Sequence, residues 1–217
     1  MKGLVIKDLR LAIQRRQTLL IYLILSVIMG MSLDAGFVIA YMTMLMGIIA
    51  SGTISYDEYD NGFPFLFSLP VDCKTYVAEK FIFTLLMEVF GRIYGTAVMF
   101  ILGLVTGKPV ETEGLAAVLL MTVCIISIMC FAMIFIQLKY GSEKARTVMF
   151  IIYGVVAAIA LAVKGFAEKL GPRISGFMAA LDKINPWVIA GCLAAITAVI
   201  CYVIYLATIK MMDKKEF

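Results

Sequence analysis

Six runs of mostly apolar residues, each closed by charges or turn residues, organise the chain: approximately 17 to 33, 36 to 55, 78 to 105, 114 to 138, 147 to 164 and 187 to 209. A stretch of about 18 or more residues with few charges has the length to cross the hydrocarbon of a bilayer as an α-helix. In lipid a helix also satisfies all its backbone polar groups internally. The pattern predicts an all-α integral membrane protein with six transmembrane helices. Runs one and two are separated only by Leu33-Asp34-Ala35-Gly36. This reads as a helical hairpin turn, because one helix over both runs, at about 1.5 Å per residue, would overshoot the bilayer.

The segments between the runs carry their own patterns. Over residues 4 to 13, Val5, Ile6, Leu9, Ala12 and Ile13 share one helical face, with Lys7, Arg10 and Gln14 away from it. Residues 1 to 16 therefore predict an amphipathic helix lying in the interface rather than a plain basic flank. The sequence after run one has no small-x-small cleavage site, which argues against a signal peptide. Residues 165 to 186 form the one sizeable segment on the other side of the membrane. There Phe177, Leu181 and Ile184 predict a short amphipathic helix ahead of the sixth span, closed by Asn185-Pro186. No tandem repeat breaks the chain, so residues 1 to 217 read as a single transmembrane domain.

Composition and charge sharpen this picture. The chain is 63% hydrophobic with a mean hydropathy of +1.00, against about 45–50% apolar in an ordinary soluble domain. It has no histidine, which removes His-based triads and His-ligated zinc. Its cysteines, Cys73, Cys124, Cys130, Cys192 and Cys201, make no CxxC pair and read as small buried hydrophobes, with no metal site. Thirteen of the nineteen Lys and Arg fall on the side of the termini, and five (Lys108, Lys164, Lys169, Arg173 and Lys183) on the other. The positive-inside bias then puts both termini of a multi-pass membrane protein in the cytoplasm.

That orientation also places the stretch "SYDEYDNGFPFLFSLPVDCKTYVAEK" in the cytoplasm, between spans two and three. Asp57, Glu58 and Asp60 would be costly in hydrocarbon, so the segment is expected to end span two and emerge into water. Asn61-Gly62 is a turn signal, Phe63, Phe65, Leu66, Phe67 and Leu69 follow, and Pro70 stops any short helix. Such an aromatic helix either dips into lipid or is a hot spot for a protein partner.

Within the third run Glu88 and Arg92 stand four residues apart, in the favourable helical pairing order. Intramembrane charges face the bundle or a cavity. The pair is either structural glue or part of a transport pathway. Gly91 and Gly95 beside it form a small-xxx-small pattern suited to close helix contact. Met42, Met44 and Met46 either fill core gaps or line an adaptable surface.

An amphipathic N-terminal helix, six spans, the loop residues Glu58, Gly62, Leu69, Pro70, Val71 and Lys80, and an outer segment before span six together resemble the ABC-2 type permeases of ATP-binding-cassette transporters. Cys73 stands where many relatives carry arginine. The chain looks most similar to small bacterial permeases exporting phenol-soluble modulins and lantibiotic-like peptides. The resemblance implies that residues 56 to 77 are a coupling loop whose helix fits a cleft on a separate ATPase, with Asp57, Glu58, Asp60, Gly62, Phe63, Phe65, Leu66, Phe67, Leu69 and Pro70 as coupling residues. It also implies a second permease copy or homologue, amphipathic peptide or lipophilic cargo, and ATP and Mg held by the ATPase. It implies no catalytic residue or cofactor in this chain, and no nucleic-acid partner. The chain itself carries no G-x-x-x-x-G-K-[ST] phosphate cradle. The alternative is a small ATP-independent membrane carrier. Such a carrier is expected to show paired broken helices or a titratable relay near midplane, for which Glu88 and Arg92 are the only candidates.

Single cysteines placed in a cysteine-free variant and exposed to an impermeant thiol reagent in intact cells test the orientation. Residue 169 is expected to react and residue 73 to stay protected. Reaction at 73 and not at 169 would invert the topology.

Overall fold

The structure, a computed structural model, describes residues 2–32, 35–59, 62–68, 70–107, 115–169 and 186–215. Every regular element among them is a helix: α1 (Lys2–Gln14), α2 (Arg16–Ser32), α3 (Ala35–Glu58), α4 (Gly62–Ser68), α5 (Cys73–Thr106), α6 (Leu115–Tyr140), α7 (Ser142–Lys169) and α8 (Pro186–Met212). Four stretches are long and apolar enough to cross a membrane: Gly36–Glu58, Cys73–Val105, Leu115–Tyr140 and Ala190–Met212. The α1–α2 pair, bent by 67° at Arg15, makes a fifth only where the two helices are counted together as one broken span. Of the six expected spans, the first coincides with α2, whose 17 residues lie at the short end of the spanning range. The fifth, 147 to 164, lies within α7. Of the expected turn over Leu33 to Gly36, residues 35 and 36 open α3; of the expected outer segment over 165 to 186, residues 165–169 continue α7 and Pro186 opens α8; residues 33–34 and 170–185 lie outside the described residues.

α3 is the axis of the bundle: it runs along α5 and α6 and touches α1, α2, α4 and α7. The closeness of α3 to α5 is written in the small residues. A Cβ at Gly91 would stand 2.8 Å from the Met42 carbonyl oxygen and 2.9 Å from Thr43 Cα, and one at Gly95 would stand 3.0 Å from Ile39 Cα. The small-xxx-small pattern is thus a helix seam, where absent side chains let two backbones approach. Met42 and Met46 are buried in the α3–α5 core with Val38, Ile49 and Phe83, so both fill that core rather than line a surface. Thr43 and Thr84 donate to the carbonyls of Ile39 and Lys80, at 2.7 and 2.9 Å, which satisfies their hydroxyls within their own helices.

A second core closes the end of the bundle that carries α4. There Ile54 of α3, Leu66 of α4, Tyr76 and Phe81 of α5, Phe131 and Leu138 of α6, and Met212 of α8 converge. Lys215 Nζ donates to the Leu138 carbonyl at 2.6 Å, fastening the C-terminal segment to the end of α6. Elsewhere the apolar side chains face outward along whole helices. Ile93 is 64% exposed and Leu104 85%, exposure that only lipid or another apolar chain can cover.

Two element boundaries differ from the sequence reading. The expected loop between runs four and five reduces to one residue, because α6 continues to Tyr140 and α7 begins at Ser142. Gly141 makes the turn with φ +85°, a conformation that costs glycine nothing, and its N–H donates to the Gln137 carbonyl at 2.9 Å. α5 starts at Cys73, ahead of the expected residue 78, because the first turns, although they expose Lys74, bury Tyr76 and Val77 in the core at the end that carries α4.

Candidate functional site

The end that carries α4 gathers most of the polar chemistry. α3 ends at Glu58 and α4 opens at Gly62, where a Cβ would stand 2.6 Å from the Asp57 carbonyl oxygen. Only a residue without a side chain fits so tight a junction. α4 then lies against α5 through Leu66, which is buried, and through Phe63 and Phe67, whose rings meet the edge of Tyr76 at 5.9 and 5.8 Å. Phe65 points the other way and is 73% exposed, as is Tyr59 at 75%. The aromatic cluster read from the sequence is therefore divided: Leu66, Phe63 and Phe67 seat the helix, and Phe65 is displayed. Pro70 is exposed, and Asp60 and Leu69 lie outside the described residues. Beside α4 runs an open groove of about 480 Å³, lined by Phe67, Val71, Asp72, Cys73, Lys74 and Asp213.

Asp57 and Glu58 do not emerge into water as the sequence reading expects. Asp57 is buried, and its carboxylate takes the ammonium of Lys7, the ammonium of Lys80 at 2.8 Å and the Tyr76 hydroxyl at 2.9 Å. Glu58 accepts from the Ser142 backbone N–H at 2.7 Å and from the Ser142 hydroxyl at 2.6 Å. Both acids are committed internally.

Behind them lies a cluster that the sequence reading leaves unread. Lys80, only 1% exposed, donates to Asp8 of α1 and to Thr53 of α3 at 3.0 Å as well as pairing with Asp57. Thr53 in turn donates to Asp8 at 2.9 Å, and Lys7 stands 3.3 Å from Asp8. An ammonium has three protons to give, and here each has an acceptor. Glu79, fully buried, stands 4.0 Å from Lys80 Nζ, and neither of its oxygens has a hydrogen-bond partner among the described residues. The signal for Asp8 is present in the sequence: it is the one acid in a basic helix, and it shares a buried side with Ala12 while Ile6, Leu9 and Ile13 are exposed. An isolated acid on an inward face implies a cationic partner from another helix.

Deeper in the bundle Glu88 and Arg92 do meet. Arg92 Nη2 lies 2.9 Å from Glu88 Oε2, and the Ser127 hydroxyl of α6 donates to the same oxygen at 2.5 Å. The pair thus ties α5 to α6. Glu88 is fully buried, and among the described residues neither its Oε1 nor Arg92 Nε has a hydrogen-bond partner. The arrangement leaves one acceptor and one donor within the bundle. Among the described residues no group of three or more Cys, Asp or Glu is placed to hold a metal ion.

Residues 3–213 match the family described as "ABC-2 family transporter protein". No curated protein and no solved structure matches the chain.

The three-way contact at Glu88 gives a quantitative expectation. Glu88→Gln and Arg92→Gln are each expected to destabilise the protein in detergent, and the double variant to recover part of the loss. The expected coupling is about 0.5–3 kcal/mol, the scale for residues in contact. Additive losses in thermal or denaturant unfolding would show that the ion pair does not form.

Proposed function

Because the chain belongs to the ABC-2 family of transporter proteins, matched over residues 3–213, we propose that it is the transmembrane permease of an ATP-driven exporter, driven by a separate ATPase at α4. The family membership makes the chain a multi-pass membrane subunit of an ABC transporter, partnered by an ABC ATPase. The mode of coupling, the direction and the cargo are the proposal.

The observation that carries the coupling is the division of labour within α4. A short helix that buries Leu66 and leans Phe63 and Phe67 on Tyr76 is held rigidly, yet it presents Phe65 almost wholly to its surroundings. Aromatic anchors that fill a partner's pocket carry much of the energy of an interface. A pre-seated helix also loses little freedom on docking. In this reading α4 faces the cytoplasm together with both termini, and the open groove between Phe67 and Asp213 flanks the dock. The ATPase supplies the nucleotide site, with ATP and Mg, and this chain transmits force. The apolar sides of α5 and α8 face lipid and a second permease copy or homologue. α1 rests in the interface, with Ile6, Leu9 and Ile13 toward lipid. An amphipathic peptide or lipophilic cargo follows from the resemblance to small peptide exporters. Glu88 and Arg92, whose Oε1 and Nε have no hydrogen-bond partner among the described residues, are polar groups within the bundle that such a cargo could meet.

Co-purification with the ATPase from membranes that express both chains tests the dock. Phe65→Ala is expected to reduce retained ATPase by about tenfold or more, as loss of an anchor worth roughly 2 kcal/mol implies, with the permease's own melting temperature unchanged. Phe67→Ala, which removes a seating contact, is expected to lower the melting temperature as well. If Phe65→Ala retains the ATPase and transports like the parent, α4 is a lipid-facing segment and the coupling assignment fails.

A further inference from the structure

We propose that Glu58 is a positioning residue that carries displacement of α4 into α7 through a carboxylate cap, rather than a contact for the ATPase; the proposal rests on the reading of α4 as the coupling helix. Glu58 is the last residue of α3, and α4 follows at Gly62. The tight approach of Gly62 to the Asp57 carbonyl, 2.6 Å from where a Cβ would stand, joins the start of α4 to the last turn of α3. Movement of one therefore carries the other.

On its other side the same turn grips α7. The Glu58 carboxylate accepts the backbone N–H and the hydroxyl of Ser142, the first residue of α7, at 2.7 and 2.6 Å across 84 residues of chain. The first N–H groups of a helix have no partner of their own, and the positive end of the helix dipole faces them. A carboxylate there is both a cap and a counter-charge. Gly141 completes the fit. Its φ of +85° turns α6 into α7, and a Cβ on it would lie 2.5 Å from Glu58 Oε1, so any side chain at that position would push the carboxylate off the helix end. The Gly141 carbonyl accepts from Ala145 N–H at 2.9 Å, opening the first turn of α7. Beyond that turn Ala145 and Met149 are buried against Ile136 of α6. The start of α7 is thus held on one side by α6 and on the other by the end of α3. A force that enters through α4 reaches α7 by way of Glu58, the residue next to Asp57 of the Lys80 cluster.

The test compares Glu58→Ala, Glu58→Gln and Ser142→Ala with Phe65→Ala in the full chain reconstituted with its ATPase. Hydrogen exchange is followed over residues 141–149, together with ATPase retention and transport. Loss of the cap is expected to speed exchange in that peptide by about fivefold in Glu58→Ala, the scale of a lost N-cap, and by less in Glu58→Gln and Ser142→Ala. All three are expected to keep the ATPase bound while transport falls. The milder variants keep the comparison valid if Glu58→Ala does not fold. Unchanged exchange in every variant, or loss of ATPase retention matching that of Phe65→Ala, overturns the proposal and leaves the dock at Phe65 standing. A parent chain that retains no ATPase instead defeats the coupling reading, and this proposal with it.

Discussion

The Lys80 ammonium, held between Asp8 and Asp57 at the end of the bundle that carries α4, is the interaction on which the rest of the arrangement depends. Taking an ion out of water costs several kcal/mol even after relaxation, and Lys80 is 1% exposed. That cost is offset only because all three of its protons find acceptors on two other helices. The consequence is geometric. α1, α3 and α5 must meet at one point, and no sliding of one helix along another preserves the contacts. Asp57 also takes the Tyr76 hydroxyl, and the Tyr76 ring is the surface on which Phe63 and Phe67 rest. The placement of α4 therefore traces back through one phenol to one buried lysine.

Around that fixed point the bundle is held by close steric fit and by polar contacts between helices. In lipid, apolar side chains gain little from meeting one another, so close backbone approach and satisfied polar groups do the holding. The Gly91–Gly95 seam supplies the first between α3 and α5. Glu88 with Arg92 and Ser127 supplies the second between α5 and α6. α7 is packed on α6 and joined to α3 at its start. α8 packs chiefly on α6, and much of its first half is exposed.

The apolar helices are legible because length and apolarity are local properties, with four of the six expected spans long and apolar enough by themselves to cross a membrane, and the α5 glycines and the Glu88–Arg92 pair are legible because their spacing lies within a single helix. What escaped the sequence is long-range. A charge solvated at a helix end and a charge paired inside a bundle look the same along the chain, so nothing local marks Asp57 as buried. The amphipathic pattern of α1 lies in its apolar residues, and Lys80, the partner that draws Asp8 inward, is 72 positions away. The Glu58–Ser142 contact joins residues 84 positions apart, with nothing local to announce it. Phe63, Phe65 and Phe67 could not be divided into inward and outward members without knowing where Tyr76 stands.

The central claim, that Lys80 and Asp8 form one energetic unit fixing α1 to α5, is tested most directly by a double-mutant cycle on unfolding of the detergent-solubilised chain, with Asp8→Asn and Lys80→Gln. Removing either charge strands its buried partner, so each single change is expected to cost about 3 kcal/mol or more. The double change is expected to cost less than the sum of the two by roughly 1–3 kcal/mol. Strictly additive losses, or single changes that cost nothing, would contradict the account and mean that α1 is held to the bundle by something other than this ion pair.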